Sequence, residues 1–275
     1  MSVVLITGSG SGFGEALAVF FAKQGHQVLA TLRQPDAAPA AVKSLAAERP
    51  ADVVITALDV CDPEARRRAV NLAVDRFGRL DVLVNSAGVG ASGSLEDMPE
   101  SVLHKVFATN FFGPLELMRL VLPVMRKQGA GRIINITSVA SLFSTPFMSA
   151  YTASKQALDA ASIAADIEAR SFGVRVAAIV AGPFKTSLPA KSLDVGPSAA
   201  YATTHGDYKS FFAKLEDHAA VDLSPVVATV MAAAFDADPP LRYLVGAEEI
   251  KFLPALLQAL APEQFLGLLA TGQKK

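Results

Sequence analysis

Several features that mark particular protein classes are scarce in this sequence of 275 residues. It has one cysteine, Cys61, which excludes an internal disulfide and is typical of a reducing cytosol. Its 25 basic and 26 acidic residues nearly cancel, and this balance disfavours nucleic-acid binding. It has no apolar run of about 18 residues, which a membrane span needs, and its first residues lack a basic leader region. We therefore expect a soluble, cytoplasmic protein without a signal peptide.

Basic and metal-ligating residues form no cluster that indicates a binding site. The run Arg66–Arg68 is the only basic cluster, and because Glu64 and Asp75 flank it we interpret it as a solvated helix face. The four histidines show no ligand spacing and do not group with Cys61: His26, His104, His205 and His218. We predict neither a nucleic-acid partner nor a metal site.

Short β-branched runs alternate with stretches whose apolar residues recur at helical spacing. The predicted strands are Val3–Thr7, Gln27–Thr31, Val53–Leu58, Val82–Val84, Arg132–Thr137 and Val174–Val180. The predicted helices are Gly14–Gln24, Pro63–Phe77, Pro99–Lys127 and Ala150–Phe172. Strands that are apolar on both faces and alternate with helices predict an α/β fold. We expect a doubly wound parallel sheet with helices on both faces, in a single domain over residues 1–275.

The sequence changes character after Gly182. Residues 184–222 are mixed in polarity, and we interpret them as a lid over a bound ligand. Four residues are expected to break any long element there: Pro189, Gly196, Pro197 and Gly206.

Residues 223–275 are expected to form the closing edge of the same domain. They contain a predicted helix at Pro225–Phe235, a predicted strand at Arg242–Val245, and short apolar helices at 249–260 and 262–270. The apolar tail Phe252–Leu269 has three interpretations. Packing on the core is favoured over covering a partner subunit, and its few cationic residues disfavour a membrane surface.

Glycine and small polar residues gather at the carboxyl ends of the predicted strands, where open parallel sheets bind ligands. These ends are Thr7–Gly14, Asp59, Asn85–Gly88, Thr137-Ser138 and Ala181–Pro183. Glycines after the first strand permit positive φ and let the backbone approach a pyrophosphate closely. The helix that follows directs its N-terminal N–H groups and positive dipole end at that anion. The pattern therefore predicts a dinucleotide site.

Three motifs occur in a specific order: TGxxxGxG at Thr7–Gly14, NSAG at Asn85–Gly88, and YxxxK at Tyr151–Lys155, with Ser138 thirteen residues before Tyr151. Over roughly residues 2–186 the chain resembles the short-chain dehydrogenase/reductase family. The resemblance implies a Rossmann-like sheet and NAD(P)-dependent transfer of a hydride between a nicotinamide and a carbonyl or secondary alcohol. It also implies a homodimer or homotetramer formed through helices at 101–127 and 151–172. The ATLR and GPFKT stretches are faintly similar to the branch that acts on steroids and retinoids.

Proton-transfer chemistry explains the tyrosine and lysine. A phenol with a pKa of about 10 is a poor base at neutral pH. Tyr151 and Lys155, four residues apart on a helix, share a face, so the ammonium would favour the phenolate. Ser138 would hold the substrate oxygen. The resemblance adds Asn110 in ATNFFG, which would link Lys155 to solvent through a water; the alternative is that Asn110 only satisfies a helix kink.

The resemblance also implies a set of cofactor contacts. The first loop would contribute Gly8, Ser11, Gly12, Phe13 and Gly14. Asp59 and Val60 would lie near the adenine; Asn85, Ala87 and Gly88 near its ribose; Tyr151 and Lys155 near the nicotinamide ribose; and Gly182, Pro183, Phe184 and Thr186 near the nicotinamide. Asn85 has an equal alternative, which is a structural tie between strands.

The end of the second strand bears on the choice of cofactor. No carboxylate stands at Thr31, where it would bind a ribose 2′-hydroxyl, and Arg33 follows closely. A guanidinium can bind a 2′-phosphate, so NADP(H) is favoured over NAD(H), with Ser11 as a second phosphate contact. Two separate alternatives stay open: Asp36 could turn inward and reverse the preference, and Arg33 could be an ordinary exposed loop arginine.

Apolar residues flank the predicted catalytic group and favour an apolar ketone or alcohol as substrate. They are Phe143, Pro146, Phe147 and Met148 before Tyr151, and Phe184, Leu188 and Leu193 at the base of the lid. Three functions are compatible with the sequence. An NADPH-dependent carbonyl reductase is favoured over an NAD-dependent alcohol dehydrogenase that works oxidatively. A non-catalytic dinucleotide-binding sensor or scaffold is disfavoured by the intact catalytic set.

Overall fold

A computed structural model of the chain describes residues 1–142, 144, 146–217 and 219–246. Its strands are β1 (Val3–Thr7), β2 (Gln27–Leu32), β3 (Val53–Ala57), β4 (Val82–Asn85), β5 (Ala91–Ser92), β6 (Gly131–Ile136), β7 (Val174–Ala181), β8 (Leu193–Asp194) and β9 (Arg242–Val245). A parallel sheet of seven strands has the order β3-β2-β1-β4-β6-β7-β9, and β5 pairs separately with β8.

The helices connect these strands along the chain. They are α1 (Gly12–Lys23), α2 (Ala40–Glu48), α3 (Pro63–Phe77), α4 (Glu100–Phe107), α5 (Gly113–Gln128), α6 (Ser149–Ala169), α7 (Ala202–Asp217) and α8 (Ser224–Phe235). One π-helical turn, Ala108–Phe112, joins α4 to α5, and short 3₁₀ turns lie at Pro35–Ala37, Val139–Ser141, Arg170–Phe172 and Pro189–Lys191.

Two apolar clusters lie on opposite faces of the sheet because successive strand residues point to opposite sides. Val4 and Ile6 of β1 pack in one cluster with residues of α1, α2 and α8. Val3 and Leu5 pack in the other with residues of α3, α5 and α6. The predicted doubly wound parallel sheet, with helices on both faces in a single domain, is confirmed.

Three details of the predicted elements were wrong or missing. The helix predicted at Pro99–Lys127 is interrupted by the π turn at Ala108–Phe112. The two-residue strands β5 and β8 and the helix α2 were not predicted. Two residues form too short a run to show periodicity, and the α2 sequence is a weakly patterned alanine-rich stretch.

The predicted break at Gly206 is also wrong, since it lies inside the 16-residue helix α7. A glycine within a helix costs only about 1 kcal/mol, and buried neighbours such as His205 and Tyr208 offset that cost. Arg66 likewise departs from the predicted solvated face. It is buried, and its guanidinium donates to the Val60 carbonyl at 2.5 Å.

Some predictions lie outside the described residues: the helices at 249–260 and 262–270, the tail Phe252–Leu269, Phe143, and His218. Among the helices that the structure does describe, none has the length and apolar character needed to cross a membrane. Over the same residues, no three His, Cys, Asp or Glu side chains are grouped closely enough to hold a metal ion.

Candidate active site

Three glycines of the loop after β1, namely Gly8, Gly12 and Gly14, could not be replaced by another residue without strain. Gly8 has φ +74°, and a Cβ at this position would lie 2.9 Å from the Ala87 Cα. Gly12 has φ +58° and lies against Thr186. A Cβ on Gly14 would clash with the Gly8 carbonyl. The loop therefore turns tightly into α1, with backbone atoms forming its surface.

The N-terminus of α1 is free to bind an anion. Ser11 is its N-cap residue, with an extended backbone, but its side chain does not cap the helix. The first N–H groups of the helix thus lack the side-chain acceptor that an N-cap usually supplies, and the helix dipole favours negative charge there. The structure fits the phosphates of a dinucleotide at this point, because it offers glycine backbone, free N–H donors and a positive helix end.

Thr7 fixes the neighbouring loop, which the sequence analysis did not recognise. Its hydroxyl oxygen accepts hydrogen bonds from the backbone N–H groups of Ser86 and Ala87, each at 3.0 Å. The NSAG loop after β4 is thereby held against Gly8. The one available signal was a threonine as the last residue of the first strand, directly before the glycine loop.

The residues at the end of β2 are those from which NADP(H) was predicted. Thr31 is fully buried, and its hydroxyl donates to the Ile6 carbonyl at 2.9 Å. Arg33 follows β2 and is exposed. Asp36 is also exposed, and its backbone carbonyl accepts from the Lys43 ammonium at 2.6 Å.

Asp59 and Val60 lie at the end of β3. The Asp59 carboxylate accepts the Cys61 N–H at 2.9 Å and so stabilises the turn into α3. The Val60 carbonyl contacts Gly113 at the start of α5, where a Cβ would lie 2.9 Å from it. The two residues are therefore in place at the carboxyl edge of the sheet.

The contacts of Asn85 are those of a structural tie between strands, which was the alternative to a cofactor contact. Its amide donates at 2.8 Å to the side-chain oxygen of Asn135 on β6, so it ties β4 to β6. Its own side-chain oxygen is buried without a hydrogen-bond partner among the described residues. Ala87 and Gly88, by contrast, lie on the loop beyond the strand.

Ser138, Tyr151 and Lys155 come together where β6 ends and α6 begins. The hydroxyls of Ser138 and Tyr151 are hydrogen-bonded to each other. The Lys155 ammonium lies 5.9 Å from the centre of the Tyr151 ring and donates to the Ile136 carbonyl at 2.9 Å. Tyr151 and Lys155 are both buried, with 7% and 6% of their surfaces exposed.

The sequence analysis expected the Lys155 ammonium to favour the Tyr151 phenolate, but burial instead shifts the ionisation of both groups toward their neutral forms. It raises the pKa of Tyr151 above its usual value, although the Ser138 hydrogen bond acts in the opposite direction. Burial also lowers the pKa of Lys155 from 10.5 to about 8. Perturbed, buried ionisable groups at the ligand-binding edge of a parallel sheet are typical of a catalytic site.

Asn110 lies on the π turn and is fully buried beside this group. Its amide donates at 2.9 Å to the Val89 carbonyl, and its side-chain oxygen accepts the Val89 N–H at 2.9 Å. The amide also donates to the Ser154 hydroxyl at 3.1 Å. A Cβ on Gly88 would lie 3.5 Å from the Asn110 side-chain oxygen and 3.7 Å from the Lys155 ammonium. Ser154, which the sequence analysis did not single out, therefore helps to hold the Asn110 side chain.

A line of buried polar residues on α6 faces the sheet, and we call Lys155, Asp159, Ser162 and Asp166 the polar stripe. Ser162 accepts from Asn135 on β6 at 2.7 Å. Asp159 accepts three hydrogen bonds from the Arg242 guanidinium on β9, and the two from its Nε are 2.9 and 3.0 Å long. Asp166 accepts from the Val176 N–H and the Arg175 guanidinium on β7 at 2.8 and 2.9 Å. The stripe therefore joins the helix that carries Tyr151 to three strands.

The segment after β7 closes the other side of the site. The Gly182 N–H donates to the Val245 carbonyl at 2.8 Å, and the Pro183 carbonyl accepts the Ala220 N–H at 3.2 Å. Phe184 packs edge-on against Phe13, with ring centres 5.5 Å apart. Phe184 thus belongs to the core below the loop rather than to the base of an open lid.

The predicted lid lies against the segment that precedes Tyr151. Phe147 has φ +60° and contacts the rings of Tyr201, His205 and Tyr208 at 6.4, 5.0 and 5.3 Å. The last two residues are on α7. An aromatic cluster therefore lies beside the start of the catalytic helix.

The sheet is parallel and has a glycine-rich anion site after β1. At the same edge lie a half-buried serine and a buried tyrosine and lysine. This combination defines a dinucleotide-binding oxidoreductase. The family model for short chain dehydrogenase matches residues 2–194, and the chain belongs to this family. It is therefore an NAD(P)-dependent oxidoreductase.

Curated relatives include proteins of different assigned activities. An uncharacterised oxidoreductase, YusZ, of Bacillus subtilis is 39% identical over 70% of this chain and 68% of its own length. A 3-ketodihydrosphingosine reductase of Bacteroides thetaiotaomicron is 36% identical over 67% of this chain and 64% of its own length. Retinol dehydrogenase 8 of Bos taurus is 32% identical over 87% of this chain and 80% of its own length.

Solved structures share the fold over nearly the whole chain. A short-chain dehydrogenase from Streptomyces avermitilis has a TM-score of 0.83 and 31% identity, and the match covers 99% of this chain and 96% of that one. A short chain dehydrogenase/reductase from Burkholderia phymatum in complex with NAD has a TM-score of 0.80 and 25% identity, with 94% and 92% covered. A nicotinamide dinucleotide is thus the cofactor class of this fold.

Proposed function

We propose that this protein interconverts an apolar carbonyl compound and its secondary alcohol with NADP(H), using Tyr151 as the general acid and base. The observation that carries the proposal is the grouping of Ser138 with the buried Tyr151 and Lys155, at the same edge of the sheet as the glycine loop. When bound, the nicotinamide supplies or accepts the hydride.

The residues of this chain would move the proton that accompanies the hydride. In reduction, the Ser138 and Tyr151 hydroxyls would donate hydrogen bonds to the carbonyl oxygen of the substrate. The Tyr151 phenol would then give its proton to that oxygen. With a pKa of about 8, Lys155 can release a proton near neutral pH and so restore the phenol. Asn110, held by both backbone groups of Val89, would keep Lys155 connected to solvent through a water.

The ionisation of Tyr151 favours the reductive direction. Because burial raises the pKa of its hydroxyl, the phenol keeps its proton at neutral pH and is ready to act as an acid. Oxidation of an alcohol needs the phenolate, so that direction should require a more alkaline medium. Comparing initial rates of the two directions between pH 6 and pH 10 would test this.

The preference for NADP(H) rests on the end of β2. No carboxylate replaces the buried Thr31, and the exposed Arg33 is available to bind a 2′-phosphate. An Arg33→Ala change should weaken NADPH binding selectively. The control is Arg68→Ala on α3, which removes another exposed guanidinium. If Arg33→Ala weakened the binding of NADPH and NADH equally, the assignment of Arg33 to the 2′-phosphate would be refuted.

An apolar substrate is supported by the aromatic cluster beside Tyr151. Phe147, with Tyr201 and Tyr208 of the predicted lid 184–222, offers an apolar wall next to the proton donor. The names of two relatives, a 3-ketodihydrosphingosine reductase and a retinol dehydrogenase, point to substrates with long apolar parts. A screen of hydrophobic ketones and aldehydes would test the proposal against short polar ones.

A homodimer or homotetramer is proposed through the outer faces of α5 and α6. Three exposed apolar side chains on or next to these elements support it: Phe112, Ile167 and Phe172, at 53%, 66% and 46% exposure. Light scattering on the purified protein gives the oligomeric state directly. The single cysteine supports a cytoplasmic location.

A fluorescence titration with NADPH and NADH in parallel is the first experiment. Preferential binding of NADPH supports the reductase. A preference for NADH would favour the alternative, an NAD-dependent dehydrogenase of secondary alcohols. Binding of a cofactor without turnover of any carbonyl or alcohol would favour the dinucleotide-binding sensor or scaffold, and binding of neither cofactor would refute the proposed function.

The role of Tyr151 is tested by Tyr151→Phe. This variant should lose turnover and keep most of its affinity for NADPH, because the ring stays and only the phenolic hydroxyl is removed. Tyr243→Phe on β9, a half-buried tyrosine packed on the core, is the matched control and should keep turnover. Turnover that survives in Tyr151→Phe would refute the proposed acid.

A further inference from the structure

Lys191 brings an ammonium to the glycine-rich loop. It ends the 3₁₀ turn Pro189–Lys191, and its ammonium donates to the Ser11 hydroxyl oxygen at 2.6 Å. The Ser187 hydroxyl donates to the same oxygen at 2.7 Å. Two residues of the segment 184–222 thus converge on the N-cap residue of α1.

This arrangement places like charges together. The N-terminus of α1 carries the positive end of the helix dipole, so a cation there is unfavourable on its own. Within the described part of the chain, no carboxylate forms an ion pair with Lys191, and Glu15 on the first turn of α1 is in none of the ion pairs. A neutral hydroxyl compensates little of this repulsion. An anion bound between the helix end and the ammonium would remove it.

The backbone on both sides of Lys191 is anchored. Before it, Thr186 lies against Gly12. After it, β8 pairs with β5, with Leu193 opposite Ala91. A groove of about 650 Å³ beside the contact is lined by Gly12, Glu15 and the segment 185–187, among others. Lys191 therefore stays above the loop while its exposed side chain keeps the freedom to turn from Ser11 to a ligand.

We propose that Lys191 binds a phosphate group of the dinucleotide at Ser11. The inference rests on the proposed function, because it requires the dinucleotide to occupy the glycine loop. Two phosphates of the cofactor can supply the anion, namely the pyrophosphate at the helix end and the 2′-phosphate of NADP(H). The chemistry is the same in both cases: an ammonium donating charge-assisted hydrogen bonds to phosphate oxygens.

The experiment compares the dissociation constants of NADPH and NADH for the wild type and three variants. Lys191→Met removes the charge and keeps much of the apolar side chain, and Lys191→Arg restores a cation. Lys209→Met is the matched control, because it removes another exposed lysine of the same segment, one that pairs with Asp194. We expect Lys191→Met to weaken binding about tenfold, a typical loss for one partly exposed charge-assisted bond. Lys191→Arg should recover most of the affinity.

The two cofactors distinguish the two phosphates. Equal weakening of NADPH and NADH assigns Lys191 to the pyrophosphate, and weakening of NADPH alone assigns it to the 2′-phosphate; both support the proposal. The dependence of the dissociation constant on salt should also be smaller in Lys191→Met than in the wild type. Unchanged affinity for both cofactors in Lys191→Met, or equal losses in Lys209→Met, overturns the proposal. Wild-type protein that binds neither cofactor would instead refute the proposed function.

Discussion

The exchange of Lys155 for methionine should make the protein more stable while it abolishes turnover. Burial lowers the pKa of this lysine from 10.5 to about 8, so at neutral pH the folded state carries an ammonium that its surroundings disfavour. At about 1.36 kcal/mol for each pKa unit, the cost is about 3 kcal/mol. Methionine removes that cost but loses the hydrogen bond to the Ile136 carbonyl, worth about 1 kcal/mol. Lys155→Met should therefore gain about 2 kcal/mol at pH 7.

The stability advantage of Lys155→Met over the wild type should disappear at alkaline pH. The unfolded chain keeps the lysine proton up to its pKa of 10.5, whereas the folded protein releases it near 8. The unfolded state thus binds more protons between these values, and the wild type becomes more stable as pH rises through them. The variant has no such group, so its advantage should fall from about 2 kcal/mol at pH 7 to near zero at pH 10.

Urea unfolding followed by circular dichroism at pH 7 and pH 10 measures both free energies. Lys127→Met is the control, since this exposed lysine in the last turn of α5 should change stability by less than about 0.5 kcal/mol. Titrations of other groups cancel in the difference between variant and wild type. A variant less stable than the wild type at pH 7, or a difference that does not change with pH, would refute this reasoning.

Two further predictions concern the loop and the polar stripe. Gly78 has φ +76° and lies in open space, so Gly78→Ala should cost about 1 kcal/mol of unfolding free energy. Gly8 has a similar φ of +74° but lies against Ala87, so Gly8→Ala should cost more and also weaken NADPH binding. Equal effects of the two substitutions would contradict this prediction. Asp166→Asn should cost about 3 kcal/mol at pH 7. Burial raises the pKa of Asp166, but hydrogen bonds from Arg170, Val176 and Arg175 outweigh it and lower the pKa overall. The stabilisation should therefore fade below pH 4, and a pH-independent difference in urea unfolding would count against it.

The sheet could be predicted because its information is local. Each of the six predicted strands is a short apolar run. The loop after the first strand is recognisable because its positive φ angles favour glycine. The proposed catalytic residues were predicted from their spacing and from a family resemblance. Their grouping in space, with Tyr151 beside Ser138, needed the parallel order of the sheet, which brings the end of β6 to the start of α6.

Other features depended on contacts that spacing does not encode. The π turn that carries Asn110 lies within one continuous helical pattern, and its position is set by the Val89 backbone. Arg66 is buried because the Val60 carbonyl needs a donor, although its two arginine neighbours lie at the surface. The bridge between β5 and β8 joins residues about 100 positions apart in the sequence, and nothing local indicates it.

The polar stripe of α6 determines how far this active site can tolerate change. Apolar contacts are non-directional, and a helix held only by them can slide or rotate with little loss. In the polar stripe, Asp159, Ser162 and Asp166 instead form directional hydrogen bonds with three separate strands. If α6 shifted by one helical turn, all of these bonds would break together. Tyr151 therefore keeps its position relative to the sheet even when residues of the surrounding pocket are substituted. Substitutions of Tyr201 or Tyr208 should consequently change substrate choice while Tyr151 and Lys155 keep their positions.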